Sequence, residues 1–504
     1  MVEATKYFDD DIVDVRLDSG QIAQFYWGDE CTRLPAEDVG GKMRVRAQRA
    51  GGGPSVEGFV RAGTALREAG LLRLAMVDVQ QGDGLILQTP DNKVVFIDGG
   101  DNKLFARFAA GAFPGTSDDH PLIVDAIVIT HGDADHFQGL SELRRSEALD
   151  GVKAHKRVFV APKRVYHNGL VKRPSNDPAT GRARPDTAMF GATVDHLGRL
   201  YAVELVDDID DVPEAQRNEQ FNEWAQTLQA WNTRTEAATG ESIVRRRIDL
   251  GSTAAFDFLN DGVDDESRRV TVELLGPITE RVGGHTGLRL LRSPPDDANL
   301  MVGDIAKPDK GSYSASHTIN GHSINFRLRF GNVNFMLTGD MNQQSMHRLR
   351  EANPDSKLRS EILKCPHHGS ADFDMGFLRD VGPVVSIISS GDESVRKEYI
   401  HPRATLMAAL GRASRQTPAV IFCTELAAFF AYRGPSRLEK DDTRYEGFER
   451  LNFGIIHIRT DGERVLAYTH SGKQGLNEAY RFTVSPTGEA SFASKVTKRS
   501  APAR

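Results

Sequence analysis

The chain has little cysteine, no long apolar run and no surplus of positive charge. Its three cysteines, Cys31, Cys365 and Cys423, stand far apart, which argues against a disulfide framework and against a cysteine-based zinc site. No run approaches the roughly 18 apolar residues of a membrane helix, and the acidic amino terminus has no apolar signal segment. A net charge of −7 argues against general electrostatic binding of nucleic acid. We expect a cytoplasmic globular protein that has no contact with membranes.

The chain is predicted to have three parts. Its 504 residues suffice for several domains or for one elaborated catalytic domain. Glycine-punctuated short segments assign residues 1–70 to a small β module, which packs as an appendage or binds a partner. Residues 71–475 are expected to form an α/β catalytic domain with a heterogeneous insertion at about 150–315. Residues 476–504 are expected to give a strand and a frayed tail.

One helix is expected in the insertion, starting near residues 211–213, where an aspartate and a proline provide a cap and a first turn. Phe221, Trp224, Leu228 and Trp231 then recur at helical spacing. Core packing explains this stripe better than a surface that stacks nucleic-acid bases.

Side chains of the kinds that bind metals are concentrated at the end of a predicted buried strand. The mostly apolar run 122–129 leads into Thr130-His131-Gly132-Asp133-Ala134-Asp135-His136. Two imidazoles and two carboxylates so close together are costly to bury unless a cation accompanies them. A divalent metal is the simplest such cation, and it implies hydrolytic chemistry.

Three later apolar segments deliver the same residue types, namely His322, Asp340 and the pair His367-His368. Taken singly, each is explained by an ordinary polar residue, a turn or a hydrogen-bonded pair. Taken together, they predict a metal site. Carboxylate oxygens and imidazole nitrogens without thiolates suit Zn²⁺, Mn²⁺ or Fe²⁺. Two metals about 3.5–4 Å apart would need a shared carboxylate, for which Asp340 is the candidate.

The motif His131-x-Asp133-x-Asp135-His136 resembles the signature of the metallo-β-lactamase fold superfamily, which usually has histidine in the second place. With Asp133 there, the chain looks like the metallo-β-lactamase-like domain of bacterial competence DNA-uptake proteins. The further segments that carry this resemblance, from residue 71 to about 468, are Val79-Gln80-Gln81-Gly82-Asp83, Ile97-Asp98-Gly99-Gly100, Leu337-Thr338-Gly339-Asp340, Lys364-Cys365-Pro366-His367-His368-Gly369-Ser370 and Tyr399-x-His401-Pro402. Gln80 stands where the family usually has glycine. The resemblance implies an αββα sandwich.

The resemblance also implies a dinuclear centre of Zn²⁺ or Mn²⁺ that activates a water. The first ion would be held by His131, Asp133 and His322. The second would be held by Asp135, His136 and either His368 or His367, with Asp340 as the bridge.

Other residues would support the reaction. The histidine of the pair that does not bind metal, expected to be His367, would contact a phosphate oxygen or act as general acid. Asp98 would orient a ligand rather than bind the metal. The residues expected to receive the substrate anion are Lys364, Ser370, Ser390 and His401.

Three functions stay open. The first is a phosphodiesterase or nuclease, with the basic segments 172–184 and 245–247 of the insertion forming a wall that contacts phosphates. The run 245–247 is explained better as a solvated face. The second function is another hydrolase on the same fold, acting on a lactone, thioester, amide or phosphorylcholine ester. The third is an effector controlled by a protein partner that binds the β module or the insertion.

Overall fold

The structure is a computed structural model. It describes residues 5–35, 40–49, 53–293, 311–354, 358–391, 401–417, 419–425, 430–437, 444–450, 454–470 and 476–502. Tyr399 of the predicted late motif lies outside these residues. All three cysteines are buried free thiols. No helix in the described ranges combines the length and the apolar character needed to cross a membrane.

The first 67 residues form a separate antiparallel sheet. Its strands are β1 (Lys6–Phe8), β2 (Ile12–Leu17), β3 (Ile22–Tyr26), β4 (Glu30–Arg33), β5 (Lys42–Gln48), β6 (Val56–Arg61) and β7 (Leu66–Arg67), in the order β3-β2-β6-β5-β4-β1-β7. Met43, Val45 and Ala47 of β5 are buried and alternate with polar residues, as expected for a strand with one face on a core.

The later elements build a larger sandwich and several smaller sheets. The strands are β8 (Leu72–Val77), β9 (Gly84–Gln88), β10 (Val94–Asp98), β11 (Leu122–Val124), β12 (Ala126–Val128), β13 (Val160–Pro162), β14 (Arg164–His167), β15 (Thr193–His196), β16 (Arg199–Ala202), β17 (Val244–Arg247), β18 (Val270–Gly276), β19 (Glu280–Val282), β20 (His285–Arg289), β21 (Asn325–Phe330), β22 (Val333–Leu337), β23 (Ile362–Lys364), β24 (Val385–Ile388), β25 (Val420–Cys423), β26 (Phe430–Arg437), β27 (Arg444–Arg450), β28 (Ile455–Thr460), β29 (Arg464–His470), β30 (Leu476–Val484), β31 (Ala490–Phe492) and β32 (Lys498–Arg499). The helices are α1 (Leu104–Ala112), α2 (Ala134–Ser146), α3 (Glu219–Thr239), α4 (Ala315–Gly321), α5 (Gln343–Ala352), α6 (Met375–Val381) and α7 (Ala404–Ala413).

Two sheets pack face to face. One has ten strands in the order β17-β14-β12-β10-β9-β8-β28-β29-β30-β31, and the other has six in the order β18-β21-β22-β23-β24-β25. Their inner faces share one apolar core, in which Leu87 and Ile458 of the first sheet belong to the same cluster as Phe335 and Ile387 of the second. Burial of this apolar surface, at about 25 cal/mol per Å², is the main force that joins the sheets.

Helices cover both outer faces of the sandwich. Phe105 of α1, Leu140 of α2 and Trp224 of α3 share a core with Phe96 on the outer side of the ten-stranded sheet. Helices α5, α6 and α7 pack in the same way on the six-stranded sheet. The layers are therefore helix, sheet, sheet and helix, and the predicted αββα fold class is confirmed.

The segment at 150–315, which we expected to be an insertion, also supplies strands to the sandwich. Strands β14 and β17 extend the ten-stranded sheet by parallel pairing, and β18 forms an edge of the six-stranded sheet. The remainder of this segment includes α3 and a four-stranded sheet in the order β15-β16-β20-β19. The aromatic stripe of α3 is buried in a core, as predicted.

The last strands tie the carboxyl-terminal part of the chain to the rest. Strand β31 pairs with β30, and β32 pairs in parallel with β2 of the first sheet. The Thr497 amide and hydroxyl both donate to the Asp11 carboxylate, at 2.6 and 2.8 Å. The tail that we expected to be frayed is therefore partly held in place, because its backbone completes a sheet far away in the sequence.

Candidate metal centre

Four loops at the ends of sandwich strands meet at one place. The loop after β12 carries His131 and leads into α2, which begins with Asp135 and His136 in its first turn. The loop after β22 carries Asp340, and the loop after β23 carries His367 and His368. The loop between β8 and β9 adds a residue that we did not predict for the site, Asp83.

The centre of this cluster has the spacing of metal ligands. Oδ2 of Asp340 lies 3.1 Å from Nε2 of His368 and 3.3 Å from Nε2 of His136. The same nitrogen of His368 lies 3.7 Å from Oδ2 of Asp135. Ligands bound tetrahedrally at about 2.0–2.1 Å from a zinc ion are about 3.3–3.4 Å apart. Ligand atoms of Asp135, His136 and His368 lie within 4.8 Å of one another, and Asp340 is close to both histidines, so these side chains could bind an ion after adjustment.

Several polar atoms of the cluster also lack the partners that buried atoms normally have. Nε2 of His136, Nε2 of His368 and Oδ1 of Asp340 are buried and make no hydrogen bond of acceptable geometry with any described residue. Buried polar atoms are rarely left in this state unless an ion or a water satisfies them. The ring of His136 is already oriented, because its Nδ1 lies 2.8 Å from Oδ2 of Asp98 and donates to it. This arrangement of carboxylate and histidine is typical of metal sites.

Asp98 is itself held rigidly. Its two carboxylate oxygens accept hydrogen bonds from the amide and the hydroxyl of Thr130, at 2.8 and 2.7 Å. Its backbone has φ of 57°, a left-handed conformation that costs a non-glycine residue of the order of 1–3 kcal/mol. This position agrees with the orienting role that we predicted for Asp98.

Asp98→Asn should therefore weaken metal binding without abolishing it. The amide keeps an oxygen for Thr130 but is a poorer acceptor for the His136 ring, and loss of such a partner typically costs 10–100-fold in metal affinity. Competition with a chelating dye would measure the change. An unchanged dissociation constant would show that Asp98 does not support His136.

An open polar cleft of about 440 Å³ lies over the cluster. The residues that line it are Gln81, Asp101, Asp133, Ala134, Asp135, Gln138, Lys172, Ser293, Ser314, Ser316, His317, Asn320, Asp340, His367 and His368. Lys172 and Ser293 come from the segment 150–315. Three of the four ligand candidates, Asp135, Asp340 and His368, therefore face the space that a substrate could enter.

Charge in the cluster is strongly perturbed. Burial disfavours ionisation of Asp340, yet His368 and His136 hold the pKa of its carboxyl well below the usual range. Burial also disfavours a charged His368, yet Asp340 and Asp83 raise the pKa of that ring to about 10. Without a metal the cluster thus holds protons beside its carboxylates, and a bound metal would replace them.

A family model described as the metallo-beta-lactamase superfamily matches residues 78–213, which include the THGDADH motif and the strands on either side of it. This stretch is a metallo-β-lactamase superfamily domain. The domain is that of a metallo-hydrolase or a related enzyme.

Comparisons with curated proteins and with solved structures do not extend this assignment. No curated protein matches this sequence. Among solved structures, the chain is similar to a mutant of the CmlA beta-hydroxylase, with 9% identity over 82% of this chain and 74% of that chain. The TM-score is 0.27, so this likeness carries no argument about fold or function.

The position of Lys364 differs from its predicted role. We expected it to receive the substrate anion, but it is only 1% exposed and does not line the cleft. Its ammonium group instead donates to Oδ2 of Asp83, which is fully buried. Oδ1 of Asp83 faces Nδ1 of His368 at 3.5 Å. The pair therefore lies behind the ligands, where a carboxylate supports the ring of His368.

Two backbone features explain why the loop that carries Asp83 has its sequence. A Cβ atom on Gly82 would lie 1.6 Å from the backbone oxygen of Asp135, so only glycine fits there. Gln80, which stands where the family usually has glycine, has φ of 67°. The left-handed conformation explains the usual glycine, which adopts it without strain.

Two predicted ligands are not brought into the cluster. The Lys172 ammonium donates to Oδ1 of Asp133 at 3.0 Å. Nε2 of His322 donates to the backbone oxygen of Arg289 at 2.7 Å, and burial lowers the pKa of His322 to about 3. Among the described residues, neither Asp133 nor His322 belongs to a group of three ligand atoms within 4.8 Å of one another.

The three remaining candidates for substrate contact are not among the residues that line the cleft. Ser370 accepts the amide of Asp372 at 3.2 Å, and the hydroxyl of Ser390 lies 2.8 Å from Sγ of Cys423. The ring of His401 lies 6.0 Å from that of His367, between centroids. The two serines thus serve local structure, because their hydroxyl groups already have partners inside the protein.

The basic wall that we expected is also largely neutralised. Arg173 pairs with Glu204 at 2.6 Å and Arg184 with Asp177 at 3.3 Å. Arg245 pairs with two aspartates on the surface of the same segment, at 3.0 and 2.8 Å. Lys172 is the one lysine or arginine among the described residues that line the cleft.

Proposed function

We propose that the protein is a metal-dependent phosphodiesterase or nuclease of the competence-protein type, with its metal held by Asp135, His136, His368 and Asp340. The observation that carries the proposal is the group of closely spaced, unsatisfied ligand atoms at the base of an open polar cleft. A divalent ion in that place, Zn²⁺ or Mn²⁺, lowers the pKa of water and offsets charge on a phosphate oxygen.

The residues around the cluster fit phosphodiester cleavage. His367 lines the cleft, and its Nε2 lies 3.9 Å from Oδ2 of Asp340, so it can donate a proton to a leaving oxygen. Lys172 also lines the cleft, and its ammonium group, which donates to Asp133 at 3.0 Å, has further protons for a phosphate oxygen. The serine and amide groups of the cleft can hydrogen-bond to a sugar or to a phosphate.

The second candidate is a hydrolase that acts on a lactone, thioester, amide or phosphorylcholine ester. A substrate with a long apolar part would need an apolar pocket beside the metal, whereas most residues that line this cleft are polar or charged. The polar lining therefore favours a phosphodiester over a substrate with a long apolar part.

Removal and return of the metal test the function directly. Protein stripped with a chelator and protein reloaded with Zn²⁺ or Mn²⁺ would be given single-stranded DNA, RNA, a cyclic dinucleotide and bis(p-nitrophenyl) phosphate. We expect turnover of at least one phosphodiester by the reloaded protein only, since the ion supplies several kcal/mol of charge stabilisation in the transition state.

A matched panel of a lactone, a thioester and an amide distinguishes the candidates. Turnover of one of these compounds, with all phosphodiesters left intact by metal-loaded protein, would replace the first candidate by the second.

A further inference from the structure

The two ions that the family resemblance implies would need two sets of ligands, and of the two predicted sets the described residues assemble only one. The set formed by Asp135, His136, His368 and Asp340 has ligand separations of 3.1, 3.3 and 3.7 Å. We propose that this chain binds one divalent ion rather than two, because the side chains expected to hold the other ion are engaged elsewhere. The inference rests on the proposed metal-dependent function.

Asp133 is the first of the engaged ligands. Its Oδ1 accepts from the Lys172 ammonium at 3.0 Å, and Asn320, once its amide is oriented to suit its neighbours, donates to Oδ2 at 2.9 Å. Both oxygens are thus satisfied by the protein. An ion at Asp133 would have to displace an ammonium group and an amide that already balance its charge and its hydrogen bonds.

His322 is the second. Its Nε2 is committed to the Arg289 backbone oxygen at 2.7 Å, and Asn168 fixes the adjacent backbone by donating to the His322 oxygen at 3.0 Å. A metal-binding histidine often donates one ring nitrogen to a carbonyl in this way. Here, however, neither ring nitrogen belongs to a described group of three ligand atoms within 4.8 Å. His322 therefore does not complete a second set among the described residues.

His131 is the third residue predicted for the same ion as Asp133 and His322. It lies beside the assembled ligand set instead. It groups with His136 and Asp340, and its ring centroid lies 4.0 Å from that of His136. The Nδ1 atom of His131 is occupied by the hydroxyls of Thr130 and Ser323, at 3.2 and 3.4 Å. Its Nε2 is left to join the coordination sphere of the same ion.

The charges around the cluster also favour one bound ion. Asp83 is paired with Lys364, and Asp133 with Lys172. Among the described residues, no lysine or arginine forms an ion pair with Asp135 or Asp340, whose recorded partners are histidines. One divalent ion balances these two ligand carboxylates, while a third carboxylate, Asp98, is bound to the His136 ring and to Thr130.

The metal content of purified protein tests this inference separately from activity. Metal-free protein would be titrated with Co²⁺ and followed by its visible absorption and by elemental analysis after desalting. We expect the signal to end at one equivalent per chain. We also expect the spectrum of an isolated ion, without magnetic coupling to a second one.

Residues predicted to hold the two different ions provide the matched variants. Asp135→Asn and His368→Gln should lose the bound equivalent, whereas Asp133→Asn and His322→Gln should keep it. Circular dichroism would confirm that each variant is folded. The second pair lies on two different elements, so either variant alone decides the question if the other does not fold.

Two equivalents in the wild-type protein, reduced to one by Asp133→Asn, would overturn the inference and leave the proposed function intact. A protein that binds no equivalent would overturn both.

Discussion

Asp340→Asn should remove the bound metal and lower turnover by at least about 10³-fold, which corresponds to about 4 kcal/mol of transition-state stabilisation. The reason is geometric, because Oδ2 of Asp340 lies within 3.1–3.3 Å of the Nε2 atoms of both His368 and His136. An amide in that place is neutral, so it neither attracts the ion nor offsets its charge. Elemental analysis and a phosphodiester assay would measure the two effects.

Asp125→Asn is the matched control for Asp340→Asn. Asp125 is also buried beside a strand of the sandwich, and its carboxylate accepts the amide of Val94 at 2.9 Å. Asp125 belongs to none of the ligand groups found in the described residues, so the control should keep its metal. Loss of turnover in Asp340→Asn at full metal occupancy would contradict the ligand role of Asp340.

Lys364→Met should destabilise the protein by about 3–5 kcal/mol, because it leaves the Asp83 carboxylate buried without its cation. Both side chains are almost fully buried. Burial acts against both charges, yet Lys364 lowers the pKa of Asp83 and Asp83 raises the pKa of Lys364. Urea unfolding of the metal-free protein would measure the change without the contribution of the ion.

The double variant Asp83→Leu/Lys364→Met tests whether the unpaired charge of Asp83 causes the loss of stability. It removes both charges, and apolar replacement of a buried pair is often neutral. Recovery of most of the lost stability is therefore expected. A single variant within about 1 kcal/mol of wild type, on the order of an exposed pair, would show that the ion pair contributes little.

The sequence predicted those strands that are buried on both faces. The apolar runs at 94–97 and 384–388 correspond to β10 and β24, all of whose residues are buried. The sequence pattern also predicts a helix over residues 404–413, and α7 has these bounds. In these places the apolar pattern directly reflects burial in the sandwich, so local sequence suffices.

Other elements have patterns that mislead. Strand β17 has the sequence Val-Arg-Arg-Arg and alternates exposed with half-buried residues. It is held by backbone pairing with β14 and by ion pairs of Arg245, which no apolar periodicity reveals. Helix α3 begins at Glu219, later than predicted, because Asn218 caps it by accepting the amide of Phe221.

Local sequence also predicts only part of the candidate metal centre. Asp98, Asp135, His136, Asp340 and the histidine pair could be found because each follows a strand in a recognisable motif. The environments of Lys364 and His322 depend on residues 281 and 33 positions away. Asp83 could have been found, because it lies in the segment Val79-Gln80-Gln81-Gly82-Asp83 that carries the family resemblance, but its partner could not.

The pairing of β32 with β2 has a consequence for the order of folding during synthesis. A ribosome releases the amino-terminal part of a chain first, and early domains generally fold as they emerge. Here the first sheet receives its last strand, Lys498–Arg499, only after some 430 further residues have been made, counting from the end of β7 at Arg67. The sheet therefore finishes folding late, because β2 cannot complete its backbone pairing until Lys498–Arg499 has been made.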